Sequence, residues 1–83
     1  MQYKIVSAQN LGKVLRSTRK QKKLTQTSVG KAVGITQATI SEIEGGKPGT
    51  ELNTLFRVLA SLDLELIVQP KTHQDNDLKG DNW

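Results

Sequence analysis

The sequence predicts an all-α bundle of four helices followed by one β-strand, and three observations carry this prediction. Apolar residues recur at helical spacing as far as residue 62, and hydroxyl residues and glycines separate these stretches. The period then changes over a short segment that closes at Pro70. The expected organisation is a helical domain over 1–62, a strand over 63–70 and a disordered tail over 71–83.

The first two helices are predicted from their capping residues. Ser7 suits the N-cap of a first helix that ends in the basic segment RKQKK, and Thr25 suits the N-cap of a short second helix. Gly34 stops the second helix, as a residue in the left-handed conformation would. The expected buried faces are Leu11, Val14 and Leu15 in the first helix and Val29, Ala32 and Val33 in the second.

The third and fourth helices are predicted in the same way. Thr36 suits the N-cap of the third helix, Gly45, Gly46 and Pro48 form a loop, and Thr50 suits the N-cap of the fourth helix. The expected buried faces are Ile40 and Ile43 in the third helix and Leu52, Leu55, Phe56, Leu59 and Leu62 in the fourth.

The segment DLELIVQ, residues 63–69, has the β-branched pair and partial alternation of a strand. A single strand leaves its backbone N–H and C=O groups unpaired unless another strand reaches it. The small size of the chain also favours oligomerisation, because 83 residues without cysteine cannot be stabilised by disulfides. We therefore expect a two-fold homodimer with antiparallel strands. The expected interface residues are Leu64, Leu66, Ile67 and Val68.

The net charge of +4 is unevenly distributed along the chain. Residues 1–60 carry ten Lys or Arg against three Asp or Glu, whereas residues 61–83 carry two Lys against five Asp or Glu. A basic body with an acidic end favours an anionic partner for the body, although solubility alone could also account for it.

The spacing of residues 26–43 is that of a helix-turn-helix. Counted from Gln26, seven positions match the pattern of core residues, small residues and turn glycine. These positions are Val29, Gly30, Val33, Gly34, Ile35, Ile40 and Ile43. An ordinary helical hairpin could share this core, but the positive charge favours DNA binding by the second helix of the motif.

The helix that begins at Gln37 has small, neutral, hydrogen-bonding residues at its start, which suits it to reading bases. Gln37 can bind adenine through two hydrogen bonds, Ala38 can pack on a thymine methyl group, and Ser41 can bond to several base edges. Lysines flank the motif where phosphates are expected to lie. These lysines are Lys22, Lys23, Lys31 and Lys47.

The stretch LTQTSVGKAVGITQATISEIEGGK resembles the lambda-repressor-like helix-turn-helix proteins, or Xre family, and the resemblance covers residues 10–62. It implies that Gln26 binds phosphate and braces Gln37, and that Arg19 pairs with Glu44 as a structural contact. It also implies a further base contact from Thr36, and Thr25 and Thr39 are expected at phosphates. The sequence departs from the family at Gly30, where alanine is usual, and at Thr36, which lacks the reach of a lysine.

A closer resemblance is to the HipB group of antitoxins, carried by KIVSAQNLGKVLRSTRKQ, GITQATIS, SLDLELIV and a tail that ends in tryptophan. It implies a cytoplasmic repressor of its own operon that binds a palindromic operator as a homodimer and neutralises a HipA-like kinase toxin. Trp83 is the expected anchor for the toxin, or else an incidental terminus. The alternative is a stand-alone phage or stress repressor without a protein partner.

Catalysis, cofactors, metals and membranes are not expected. The chain has no carboxylate pair, nucleophile–base set or phosphate-binding glycine loop. It has no thiolate ligand, and its one histidine, His73, lies in the polar tail. No apolar run approaches the length of a membrane span or signal peptide. The sequence therefore indicates a protein that acts by binding.

Overall fold

The computed structural model describes residues 2–71 and contains the four helices that the sequence predicts, in the same order. The helices are α1, Ala8–Gln21; α2, Gln26–Val33; α3, Gln37–Glu44; and α4, Leu52–Ser61. Helix α2 packs against both α3 and α4, and α1 packs against α3. The predicted four-helix bundle is confirmed. Trp83 and the rest of the expected tail from residue 72 onward lie outside the described residues.

Local hydrogen bonds fix the starts of the first three helices as predicted. The hydroxyls of Ser7, Thr25 and Thr36 accept the backbone N–H groups of Asn10, Ser28 and Thr39 at 3.0, 3.0 and 3.2 Å. At the end of α2, Gly34 adopts φ 74°, and the N–H of Ile35 donates to the carbonyl of Gly30 at 2.8 Å. These bonds define the sharp turn between α2 and α3.

Seven apolar side chains from all four helices and their ends form the core. They are Leu15, Val29, Ile40, Ile43, Val58, Leu59 and Leu62, each at most 5% exposed. Burying one such side chain stabilises the fold by roughly 1.5–3 kcal/mol. Because α2 and α3 each contribute to this one core, the two helices of the motif are held at a fixed mutual orientation.

Two glycines permit close backbone approaches beside the motif. A Cβ atom at Gly12 would lie 2.4 Å from the carbonyl oxygen of Glu44 and 2.7 Å from that of Ile43, so α1 lies directly against the end of α3. A Cβ atom at Gly30 would lie 2.4 Å from the carbonyl oxygen of Ile35. The predicted need for a small residue at Gly30 is therefore confirmed, and the atom that approaches it belongs to the turn.

Three details of the predicted helices are wrong. Ala32 is exposed, and Thr50 does not cap α4, because the N-cap is Glu51 and the first helical bond runs from Leu55 N–H to the Glu51 carbonyl. The predicted face of α4 is too wide, since Leu52 and Phe56 are 62% and 47% exposed. The stripe that faces the core consists of Leu55, Val58, Leu59 and Leu62.

Residues 64–71 follow a turn at Asp63, which adopts φ 59°, and they form no ladder with any other part of residues 2–71. Residues 66–71 and the N-terminal residues 2–6 instead line a largely apolar groove of about 440 Å³. A strand that pairs across a dimer needs a second copy of the chain, so the predicted pairing of residues 63–69 stays a prediction. No helix in the described part of the chain is long and apolar enough to cross a bilayer.

Candidate nucleic-acid interface

The start of α3 lies beside an open polar groove of about 710 Å³. Gln37 and Ser41 line it from α3, and Thr25 and Gln26 line it from the start of α2. The fold thus brings together two residues predicted to read bases and two predicted to bind phosphate. Ala38 is exposed on α3 but does not line this groove.

A buried ion pair forms the inner wall of the groove. Arg19 Nε donates to Glu44 Oε2 at 2.6 Å, and Arg19 Nη2 donates to Glu44 Oε1 at 3.0 Å. The third nitrogen, Arg19 Nη1, donates to the carbonyl of Leu24 at 2.8 Å. The two side chains are only 9% and 6% exposed. The pair that the family resemblance implied is confirmed, and it joins α1 to the end of α3 and to the α1–α2 connection.

Electrostatics keep Glu44 ionised. Burial alone would raise the pKa of Glu44, but the hydrogen bonds from Arg19 and Gln26 and the positive charges of Arg19 and Arg16 together lower that pKa below its usual value. The hydrogen bond to Glu44 in turn raises the pKa of Arg19, against the opposing effect of burial. At neutral pH the pair is therefore a guanidinium and a carboxylate.

Two glutamines extend this network to the protein surface. Gln26 Nε2 donates to Glu44 Oε1 at 3.0 Å, and Gln37 Nε2 donates to Gln26 Oε1 at 2.5 Å. A continuous chain of hydrogen bonds therefore runs from the buried Arg19 to the exposed first residue of α3. The predicted brace between Gln26 and Gln37 is confirmed, and it holds the Gln37 amide before any ligand arrives.

The hydroxyl groups around the motif are held by capping bonds. Thr25 and Ser28 form a reciprocal capping box, in which Thr25 N–H donates to Ser28 Oγ at 3.0 Å and Ser28 Oγ donates to the Thr25 carbonyl at 2.9 Å. Thr36 and Thr39 share a hydroxyl–hydroxyl bond of 2.9 Å. Thr25 Oγ accepts one bond in this arrangement, and its proton is available to a phosphate oxygen.

The predicted phosphate-binding lysines are all exposed, but they are not equivalent. Lys47 Nζ lies 3.2 Å from Glu42 Oε2, and the two side chains are 62% and 52% exposed. Lys22, Lys23 and Lys31 take part in none of the ion pairs found within residues 2–71. None of the four lines the groove beside Gln37.

Arg16 is a groove residue that the sequence analysis missed. It lies on the same wall as Arg19, and its charge reaches Glu44. The signal in the sequence was its position three residues before Arg19, which places both residues on one face of α1. Contact between any of these side chains and DNA stays a prediction.

Comparisons with known proteins agree with this geometry. The helix-turn-helix family HTH_3 matches residues 15–68. Antitoxin HipB of Escherichia coli O6:H1 is 34% identical over 82 residues, which cover 92% of this chain and 87% of that protein. The ImmF control region 10 kDa protein of Bacillus phage phi105 is 32% identical over 65 residues, covering 76% of this chain and 72% of that protein.

A solved structure gives the same result for the fold. HipB in a HipA-HipB-O2-O3 complex superposes with a TM-score of 0.80 at 35% identity, covering 86% of this chain and all of that one. The length of the matches, their identity and the agreement of the helices confirm the resemblance that the sequence motifs indicated. This chain therefore belongs to the Xre-like helix-turn-helix family, and the HipB antitoxins are among its relatives.

Proposed function

We propose that this protein is an antitoxin that binds a palindromic operator as a homodimer, represses its own operon and binds a HipA-like kinase toxin. The observation that carries the proposal is the hydrogen-bonded chain that holds Gln37 in place at the start of α3. A side chain fixed in advance loses little conformational freedom when it meets a base edge. A helical hairpin with a purely structural role would not need a series of hydrogen bonds that ends at an exposed side chain.

In this proposal the start of α3 enters the major groove and the start of α2 faces the sugar-phosphate backbone. The proposed base contacts come from Thr36, Gln37, Ala38 and Ser41. The proposed phosphate contacts come from Thr25, Gln26, Thr39, Lys22, Lys23, Lys31 and Lys47. Arg16 is added to this second set because it lines the groove beside Gln37.

The proposed dimer forms through residues 63–69. Leu66, Ile67 and Val68 are 44%, 56% and 98% exposed, which supports an interface that a second copy of the chain would cover. Leu64, also predicted there, packs partly against the core of its own protomer. Antiparallel pairing of the two strands would satisfy their backbone groups and relate the two α3 helices by a two-fold axis. The α3 helices would then lie about 34–36 Å apart, one turn of DNA, and read a palindrome.

The proposed toxin partner rests on the relatives, since HipB has been solved together with HipA. Trp83 is the proposed anchor in a pocket of the toxin, at the end of a tail outside the described residues. The protein would act in the cytoplasm, by binding alone and without catalysis. The alternative is a stand-alone phage or stress repressor without a toxin partner, and a phage protein is among the relatives of this chain.

Two measurements on the full chain test this function. Fluorescence anisotropy with the DNA upstream of its own gene should give binding that unrelated DNA of equal length does not compete away. Co-purification with the product of the adjacent reading frame should recover a kinase-like protein. Operator binding without such a partner would favour the stand-alone repressor, and absence of both would exclude the proposal.

The tail is tested by deleting residues 72–83. Operator affinity of the truncated dimer should be unchanged, while toxin binding should weaken if Trp83 fills a pocket on the toxin. Trp83→Ala in the full chain is the matched variant, because it retains the acidic residues of the tail. Equal toxin affinity for the full and truncated chains would show that Trp83 does not anchor the toxin.

A further inference from the structure

We infer that Glu44 determines which purine Gln37 reads: acting through Gln26, the Glu44 carboxylate orients the Gln37 amide so that it accepts adenine and rejects guanine. This inference rests on the proposed DNA-binding function. It assigns part of the base specificity to Glu44, a residue that does not touch DNA. Glu44 is a positioning residue here, because its side chain is 6% exposed and lies two hydrogen bonds behind the base-reading amide.

The Glu44 carboxylate fixes the orientation of the Gln26 amide. An ionised carboxylate can accept hydrogen bonds but cannot donate one. Glu44 Oε1 already accepts from Arg19 Nη2 at 3.0 Å, and Gln26 lies at the same distance from it. Gln26 must therefore present its NH₂ group to Glu44, because its carbonyl oxygen there would face a second acceptor across 3.0 Å.

With its NH₂ group committed to Glu44, Gln26 presents its carbonyl oxygen towards α3, and Gln37 Nε2 donates to that oxygen at 2.5 Å. A flipped Gln37 amide would place two carbonyl oxygens against each other. The orientation of both amides is thus transmitted from a single group, the carboxylate at the end of α3.

Gln37 then offers DNA one hydrogen-bond donor and one acceptor. One of its two N–H groups is used by Gln26, so one N–H donor and the carbonyl acceptor remain. Adenine presents the complementary pair in the major groove, the acceptor N7 beside the donor N6. Guanine presents two acceptors, N7 and O6, and would need two donors from an amide that has one left.

The test uses the full chain and randomised inverted-repeat duplexes about two helical turns long. Selection with the wild-type protein and with Gln37→Ala identifies the base pair at which the two preferences differ. At that position four purines are then compared in duplexes that differ elsewhere only in the opposite pyrimidine: adenine and diaminopurine opposite thymine, and guanine and hypoxanthine opposite cytosine. Diaminopurine joins the major-groove edge of adenine to the minor-groove amino group of guanine, and hypoxanthine has the guanine major-groove edge without that amino group.

The wild-type protein should bind the adenine and diaminopurine duplexes alike and the guanine and hypoxanthine duplexes about tenfold or more weakly. Gln26→Ala should weaken all four complexes and reduce this preference to about twofold, because the Gln37 amide can then rotate to present both N–H groups. The buried ion pair is untouched in Gln26→Ala, so this variant retains the main tie between α1 and α3.

Glu44 itself is tested with a matched pair of variants at mildly alkaline pH. Arg19→Met lowers stability and affinity but leaves a carboxylate in place, so it should retain the adenine preference. Arg19→Met/Glu44→Gln replaces the carboxylate by an amide that can present either end to Gln26, so the preference should fall as in Gln26→Ala. Thermal melts establish that each variant is folded. A folded double variant that keeps the full adenine preference would overturn the role of Glu44. If the double variant does not fold, Gln26→Ala still tests whether Gln37 is oriented through Gln26, the residue that links it to Glu44.

If selection enriches no sequence, the proposed DNA-binding function fails and this inference fails with it. If a sequence is enriched but the Gln37 position shows no purine preference or prefers guanine, only the inference is overturned. A full adenine preference in Gln26→Ala would also overturn it, because Gln37 would then be oriented without Gln26 and Glu44.

Discussion

Two regions of the molecule differ in whether their polar groups find hydrogen-bond partners within the same protomer. At the α1–α3 end, Arg19, Glu44, Gln26 and Gln37 form one hydrogen-bonded chain. In the C-terminal segment, by contrast, residues 64–71 form no ladder within the described chain, and Val68 is 98% exposed. The surface proposed to read DNA is therefore prepared within one protomer, whereas the C-terminal segment is proposed to pair with a second copy of the chain.

The largest expected effect on stability comes from disrupting the Arg19–Glu44 ion pair. Arg19→Met or Glu44→Leu should lower the free energy of unfolding by about 3–5 kcal/mol, because each leaves one buried charge without its partner. Arg19→Met together with Glu44→Leu should recover much of that loss, because no charge then remains buried. Denaturant unfolding of the three variants measures the coupling, and strictly additive losses would show that the two side chains do not interact.

Acid should reduce the stability that the Arg19–Glu44 ion pair contributes. The pKa of Glu44 is lowered in the folded protein, so its contribution to stability is complete above the ordinary glutamate pKa of about 4.3 and is lost as pH falls through the lowered folded value. Melting temperatures of wild type and of Arg19→Met/Glu44→Leu should therefore converge on acidification. A constant difference between them across this range would contradict the assignment.

The next largest effect should come from a change in the proposed dimerisation strand, residues 63–69. Ile67→Pro removes one backbone donor from each strand of the proposed dimer, and each missing hydrogen bond costs about 1–3 kcal/mol. The dimer should dissociate at micromolar concentration, and operator affinity should fall with it. Ile67→Val retains the backbone donor and the β-branched shape, so it should behave as wild type in sedimentation. A wild-type chain that sediments only as a 9.1 kDa species would contradict the proposed dimer.

A smaller effect should separate base reading from general attraction. Gln37→Ala should cost about 1–3 kcal/mol on the operator and little on unrelated DNA, because it removes a two-bond base contact. Its melting temperature should be close to that of wild type, since Gln37 is exposed. Equal losses on both DNAs, measured by anisotropy titration, would mean that α3 does not read the sequence.

The smallest effect concerns the flanking lysines. Lys22→Ala should reduce the slope of log K against log salt concentration by about 0.9 for each phosphate that the protein no longer neutralises. Lys47→Ala should reduce it less, because Glu42 already compensates part of the Lys47 charge at 3.2 Å. Titrations at several salt concentrations compare the two variants, and a larger change for Lys47→Ala would reverse this assignment.

The sequence predicted what depends on neighbouring residues and missed what depends on distant ones. The caps at Ser7, Thr25 and Thr36 lie within three residues of the groups that they bond, so the local sequence specifies them. The rotation of α4, by contrast, is set by packing against α2, which is why Leu52 and Phe56 were wrongly placed in the core.

At the candidate site, two contacts between residues distant in the chain were nevertheless predicted from the family resemblance. The family pattern supplied the Arg19–Glu44 pair and the brace from Gln26 to Gln37, because their spacing along the chain is part of that pattern. Nothing in the local sequence showed that Gly12 must approach the carbonyls at the end of α3. That approach depends on where two helices distant in the chain cross, which periodicity alone does not define.

The hydroxyl caps also affect the charge that the helix starts would present to a nucleic acid. Aspartate caps a helix as well as serine or threonine does, and acidic residues in the first turn favour a helix in isolation. Yet Ser7, Thr25 and Thr36 are the side-chain caps of α1, α2 and α3, and none of the four helices carries an acidic residue in its first turn. The starts of α1, α2 and α3 therefore keep their positive field, so the fold gives up a little intrinsic helix stability and in return presents no negative charge at the ends that would meet the nucleic acid.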